Sequence, residues 1–256
     1  MKRLLAFFII SALLFALSAC GSDAPSAPLV DVGASPALSG ADSIGSDAAA
    51  FNAENGKTPA TRVDDTAAAI YNGTEGITLY GAAAYTNTGD CPIIIESADF
   101  TFTAGGETFE HSFVPPLAEY AVLMPGETSF LTAWAPQAPE TALSAGMEVS
   151  LSVSLTPRRA EAARTLLLVD RLYLADNYPN FTTLSGRITC AGALGCEMNV
   201  IHIGFYDAEG TFLGAWYFTK NTLLEGDESK NFVVQMYGLP LDSLAERANS
   251  LSAIGF

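Results

Sequence analysis

From Met147 to Leu155 apolar and polar residues alternate without a break: Met147, Val149, Leu151, Val153 and Leu155 against Glu148, Ser150, Ser152 and Ser154. A period of two puts one set on a buried face and the other in water, which predicts a strand. Apolar runs from Ile93 through Phe102 and from Val200 through Tyr206 predict two more. Further strands are predicted to begin at Thr108-Phe109, Ser129-Phe130-Leu131, Thr211-Phe212 and Asn231-Phe232-Val233-Val234. Short strands about every 8 to 12 residues, separated by Gly, Pro and Asn turns, predict antiparallel sandwiches. A helical turn or two is expected only around Leu241 to Ala248. Pro157-Arg158-Arg159 is expected to stop the alternating strand abruptly, leaving Pro157 to Arg164 as a connector.

The strands come in two similar series. Cys91 precedes Phe100 by nine residues, and Cys196 precedes Phe205 by nine. A Gly-bearing turn follows each, Ala104-Gly105-Gly106-Glu107 or Asp207-Ala208-Glu209-Gly210. Further on, Met124-Pro125-Gly126-Glu127 aligns with Leu224-Glu225-Gly226-Asp227, each ahead of a strand. Leu143-Ser144-Ala145-Gly146-Met147 and Leu244-Ala245-Glu246-Arg247-Ala248 then lead into the last strand of each series. Landmarks in one order imply two related domains.

The first residues follow a different pattern. Lys2 and Arg3 precede an apolar run, Leu4 to Leu17, and Leu17-Ser18-Ala19-Cys20 closes it. The run is shorter than the roughly 20 residues a membrane-spanning helix needs, and it fits an export signal with a small-residue cleavage site. The closing four residues resemble the lipobox of bacterial lipoproteins. That resemblance implies a diacylglycerol on the Cys20 thiol and cleavage before it, so that lipid holds the chain on a membrane. The plainer alternative is an ordinary cleaved signal with a coincidental cysteine. From Gly21 to about Thr61 the chain is mostly Ala, Ser, Gly, Pro and Asp, too poor in large apolar residues to offset its ordering entropy, and a disordered tether is expected. Gly56-Lys57-Thr58 lacks the first glycine of a phosphate-binding loop, since Phe51 stands there.

Phe205-Tyr206-Asp207, the Gly210 turn and Gly226-Asp227-Glu228-Ser229 ahead of Phe232 resemble the FxLYD-type immunoglobulin-like domains of bacterial envelope lipoproteins. The likeness covers about 70 residues of the second series; the first departs from it with Phe100-Thr101-Phe102-Thr103. It implies a fold and a location, with no enzymatic activity. The motif residues themselves read as strand core and hairpin turn. The expected organisation is therefore all-β: a lipoprotein signal at 1–19, the lipidated cysteine and flexible tether at 20–61, then two tandem immunoglobulin-like antiparallel β-sandwich domains. The first, acidic domain is placed at 62–157 and the second, FxLYD-like domain at 164–256.

Charge narrows the partners. The chain has 12 Lys+Arg and 28 Asp+Glu. Loss of Lys2 and Arg3 with the signal leaves 10 against 28, a net −18. Residues 63–157 contain twelve acids and no Lys or Arg. Binding to nucleic acid, which needs cations to neutralise phosphate, is excluded. The acidic field either attracts a cation or cationic peptide or keeps a surface protein soluble. Arg158, Arg159, Arg164 and Arg171 cluster near the connector. They dock the acidic first domain or an anionic partner, or else form a solvated basic stretch.

Chemistry is sparse. Cys190 and Cys196 flank a short Gly-bearing loop, so a disulfide across its base and three separate buried cysteines, with Cys91, are both open readings. No zinc spacing, nucleophile elbow or Ser-x-x-Lys occurs, and neither a metal site nor a cofactor is expected. His111 and His202 lie in different series. His202 points away from the face shared by Ile201 and Ile203 and is expected to face solvent. Asp64-Asp65 and Asp227-Glu228 read as solvated pairs. Trp216-Tyr217-Phe218 puts aromatics on both faces of one strand. It is either covered or a recognition strip.

Together these readings predict a non-catalytic lipoprotein on the extracytoplasmic face of a cell membrane, a binding or scaffold module for an envelope protein or peptide. A cation- or small-ligand-binding accessory subunit of a transporter or sensor is the alternative.

Overall fold

The structure is a computed structural model and describes residues 58–138, 141–161, 164–177, 181–192, 195–237, 239–240 and 243–256. The signal, Cys20 and the tether up to Lys57 lie outside the described residues. Twelve strands pair antiparallel throughout, and the single α-helix among the described residues, α1, is Leu244–Arg247. The protein is an all-β antiparallel sandwich.

The strands of the first half are β1 (Thr61–Gly73), β2 (Gly76–Asn87), β3 (Ile93–Ala104), β4 (Glu107–Phe113), β5 (Thr128–Pro136) and β6 (Val149–Arg159). Those of the second are β7 (Leu167–Asn177), β8 (Phe181–Cys190), β9 (Asn199–Tyr206), β10 (Phe212–Lys220), β11 (Ser229–Tyr237) and β12 (Ser250–Gly255). The first half forms sheets β1-β2-β5 and β4-β3-β6. The second forms β10-β9-β12-β7-β8-β11, whose middle joint rests on one pair, Gly255 with Leu167. Cut there, it reads β7-β8-β11 and β10-β9-β12, the strand order of the first half repeated.

Each half buries the facing sides of its two sheets. Leu79, Tyr85 and Leu131 meet Ile93, Phe100 and Phe102 in the first; Leu184, Ile188 and Phe232 meet Ile201, Ile203, Phe205 and Phe218 in the second. Burying a side chain such as Phe100, fully removed from water, contributes about 2 to 3 kcal/mol. Gly105 and Gly106 turn β3 into β4 with φ of 60° and 84°. That two-residue turn needs positive φ at both positions, which only glycine adopts without cost.

Two details of the repeat differ from the sequence alignment. Gly126 N–H donates to Asn87 O and Glu127 N–H to Met124 O, whereas Asp227 N–H donates to Cys190 O and Glu228 N–H to Glu225 O. Gly126 therefore matches Asp227, both at positive φ, and Glu127 matches Glu228. Alignment on the glycines was one residue off, because the backbone conformation and the capping carboxylate, not residue type, are what the turn preserves. Likewise Ile93 bridges Leu123 as Cys196 bridges Leu224, so Cys196 matches Ile93 and not Cys91.

The strand does not stop at Pro157. β6 continues to Arg159, with Ile95 opposite Pro157 and Ile93 opposite Arg159, past a bulge in β3 between Ile95 and Ser97. β6 is an edge strand, where a proline loses no ladder bond. Nor do the halves behave as beads on a connector. All described residues fall in one compact unit, and Val200 and Phe256 of the second half are buried in the core of the first.

Candidate functional site

The described residues offer little converging chemistry. No group of three or more His, Cys, Asp or Glu that could hold a metal occurs among them. A shallow, open depression of about 340 Å³ lies beside the β3–β4 turn, lined by Thr103, Gly105, Gly106, Met147, Glu148 and Ser150. One carboxylate, Glu148, borders it, which is not a catalytic arrangement. Asp64 is occupied: its Oδ1 accepts from Arg62 Nε at 2.6 Å and its Oδ2 from Thr86 Oγ1 at 2.6 Å. Asp207 Oδ1 accepts from Glu209 and Thr211 N–H, and Glu228 Oε2 from Glu225 N–H, so both acids close turns. Phe205, the other FxLYD-like landmark, is fully buried.

His202 is not on the surface. Its ring does leave the Ile201/Ile203 face, but the first half covers the side it turns to. Nδ1 lies 2.9 Å from Ser129 Oγ, and the ring meets Tyr217 and Phe256 edge-on at 6.1 and 5.2 Å. Burial disfavours its charged form and lowers its pKa to about 4. Burial also pushes the hydroxyl pKa of the neighbouring Tyr85 up to about 12.

The predicted aromatic strip lies on the same seam. Phe218 packs on Phe232 at 5.1 Å, Trp216 stacks on Phe218 at 5.6 Å, and Tyr217 faces His202. Trp216 and Phe218 thus line the core of the second half while Tyr217 helps close the join. Around it, the outer face of β1-β2-β5 (Tyr80, Ala82, Ala84 and Phe130) is buried against Phe212 and Ala215. Phe130 stacks on Phe212 at 6.2 Å and lies so close to Gly204 that an added Cβ would stand 2.3 Å from its ring. Arg164 reaches back to pair with Glu127, donates to Gly255 O at 3.3 Å, and sits 5.3 Å over the Phe256 ring. Of the connector arginines, this one docks the acidic half; Arg158 stays at the surface beside Glu96 and Glu161.

Cys190 and Cys196 are disulfide-bonded, with Cα atoms 5.9 Å apart, and Cys91 is a buried thiol. The matching loop of the first half carries Asn87 where the second has Cys190. Its buried amide donates to Cys91 O and Leu123 O, both at 2.9 Å, and its Oδ1 accepts from Gly89 N–H at 2.9 Å. One loop is clamped by an amide, the other by sulfur.

The far sheet of the second half has an exposed face. The outer face of β7-β8-β11 matches the β1-β2-β5 face buried in the seam, yet no strand covers it among the described residues. Leu168, Val233 and Tyr237 are 42, 65 and 61% exposed there, and Phe181 packs beside Tyr237 at 5.4 Å. Arg187 and Asp170 pair next to them, and the donated hydrogen bonds lower the pKa of Asp170.

The edges of the sheets tell the same story. β1 and β6 lie side by side, and β9, β10 and β12 run against β5. β4 carries Glu107 and Glu110, charges that discourage further pairing. β10 is capped by Tyr80, whose hydroxyl donates to Ala215 O at 2.7 Å and accepts from Ala215 N–H at 2.9 Å. β11 has β8 on one side and no strand on the other among the described residues, and Ser229–Tyr237 contains one charge, Lys230. Sequence reasoning missed this edge. Its only signal was a β-forming run, Phe232 to Tyr237, without an acidic residue in an acidic chain.

No family model matches the chain, and no curated protein does. Solved structures that match include a calcium-binding mutant, D341A D367A, of β-glucuronidase 2 from Bacteroides uniformis. It shares 13% identity over 70% of this chain and 28% of its own, with a TM-score of 0.17. A likeness at that score bears on neither fold nor activity.

Proposed function

We propose that the protein is a non-catalytic lipoprotein, anchored through Cys20 on the extracytoplasmic face of a cell membrane, which binds an envelope protein or peptide with the β7-β8-β11 side of its second half. The anchor is supported by Leu17-Ser18-Ala19-Cys20 directly after the apolar run Leu4 to Leu17. The observation that carries the binding reading is the contrast between two matching faces. In the first half that face is buried by a neighbouring β-hairpin; in the second it exposes Val233 and Tyr237. Apolar side chains grouped on one face beside an unpaired edge mark an interaction surface.

The test is photo-crosslinking in intact cells with probes at Val233, Tyr237 and, on the charged β4 edge, Glu110. A reproducible adduct at Val233 or Tyr237 and none at Glu110 is expected. Absence of any adduct from a lipidated, surface-exposed protein would exclude a stable macromolecular partner and turn attention to small ligands or cations at the acidic half.

A further inference from the structure

We infer that β11 pairs with β11 of a second copy, antiparallel about Val233, joining two β7-β8-β11 sheets into one six-stranded sheet across a two-fold axis. The inference deepens the reading of this side of the molecule as the recognition surface and rests on it. It starts from the survey of edges. Each other edge among the described residues is covered by a neighbouring strand, charged, or capped through its backbone by Tyr80. An uncovered row of N–H and C=O groups flanked by apolar side chains is a template for another strand.

The sequence of β11 says which strand. Val233 is the middle residue of Ser229–Tyr237, so an antiparallel copy centred there places Val233 opposite Val233. Asn231 then faces Gln235, amide to amide, and Ser229 faces Tyr237 on the outer side. On the inner side Phe232 faces Val234, and Lys230, the one charge, faces Met236 and not a second lysine. No pair opposes like charges, the condition that most often forbids such a register. A two-fold contact is self-complementary by construction, and β11 meets that demand with Val233 on the axis, an amide opposite an amide at Asn231 and Gln235, and its single charge opposite an uncharged residue. The acidity of the chain opposes association less than its net charge implies. The stretch free of Lys and Arg, residues 63–157, belongs to the first half, whereas residues 158–256 carry eight basic and eleven acidic residues.

The experiment uses the full chain in its membrane. Val233→Cys is placed on the proposed axis, and Gln235→Cys and Asn231→Cys two residues to either side; each is treated with a mild oxidant. Directly opposed residues fall near disulfide distance, while residue 235 lies about 13 Å from its own copy in this register. Val233→Cys alone should give a covalent dimer. Gln235→Cys alone should not, and Gln235→Cys co-expressed with Asn231→Cys should. Equal cross-linking by all single variants, or none by Val233→Cys, overturns the pairing. If Val233→Cys stays monomeric while a photo-probe at Val233 captures a different protein, self-pairing falls and the binding surface stands. If neither reacts, both fall. Val233→Pro provides a second arm: it should leave the far-ultraviolet β signal intact and lower the detergent-solubilised mass from two chains to one, and a mass of one chain before substitution counts against the inference.

Discussion

His202 shows how far a single residue's role depends on what lies beyond its own strand. Neutral and buried beside Ser129, it has a folded pKa of about 4 against an ordinary 6.5. Between those values the unfolded chain binds a proton that the folded chain refuses. Its contribution is therefore complete above pH 6.5 and is lost as pH falls toward 4, on the order of 3 kcal/mol in all. His202→Gln should flatten the fall in denaturant midpoint between pH 6.5 and 4.5 relative to the wild type. Parallel slopes for the two proteins would show that this histidine is not what titrates. The period-two pattern correctly turned the ring away from Ile201 and Ile203. It could not reveal that the opposite face is roofed by β5, because that contact joins residues 73 positions apart.

At the scale of elements, the two matching loops put different chemistry to one task. The disulfide between Cys190 and Cys196 closes a short loop, for which chain entropy assigns about 2 kcal/mol. Asn87→Ala would remove both bonds the amide donates, to Cys91 O and to Leu123 O, the latter keeping its bond from Ile93 N–H, at about 2 kcal/mol. Reduction and Asn87→Ala should thus lower the thermal midpoint by similar amounts, read by calorimetry with and without reductant. A reductant effect within error of zero would mean the loop is held by its backbone bridge to Leu224 alone. The strands themselves were largely legible: β3, β5, β9 and β11 begin within a few residues of where alternation and turns place them. The alignment of the two series was not, since matching Gly126 to Gly226 reads residue type where the fold preserves a positive φ.

For the molecule as a whole, the seam should make both halves unfold together. Each half holds one of the two tryptophans, Trp134 in the first and Trp216 in the second. Trp134→Phe and Trp216→Phe leave a single reporter in the opposite half. Their fluorescence midpoints in denaturant should coincide, and Phe130→Ala, emptying the contact with Phe212 and Gly204, should lower both together, with a loss of about 3 to 4 kcal/mol in unfolding free energy. Two separated transitions would return the chain to independent domains.

The sequence by itself determined the all-β class, the twofold succession of strands and the charge division between the halves, because each is written in neighbouring residues. Periodicity, turn residues and net charge need no distant partner. Only the tertiary structure decided that Trp216 and Phe218 fill a core, that His202 is roofed, that Arg164 reaches Glu127, and that β11 is left open. A side chain's exposure depends on which surface arrives over it, and that surface comes from residues far along the chain. Two faces of matching strand order, one on β2 and one on β8, therefore end in opposite states: the first beneath Phe212 and Ala215, the second facing outward with Val233 and Tyr237.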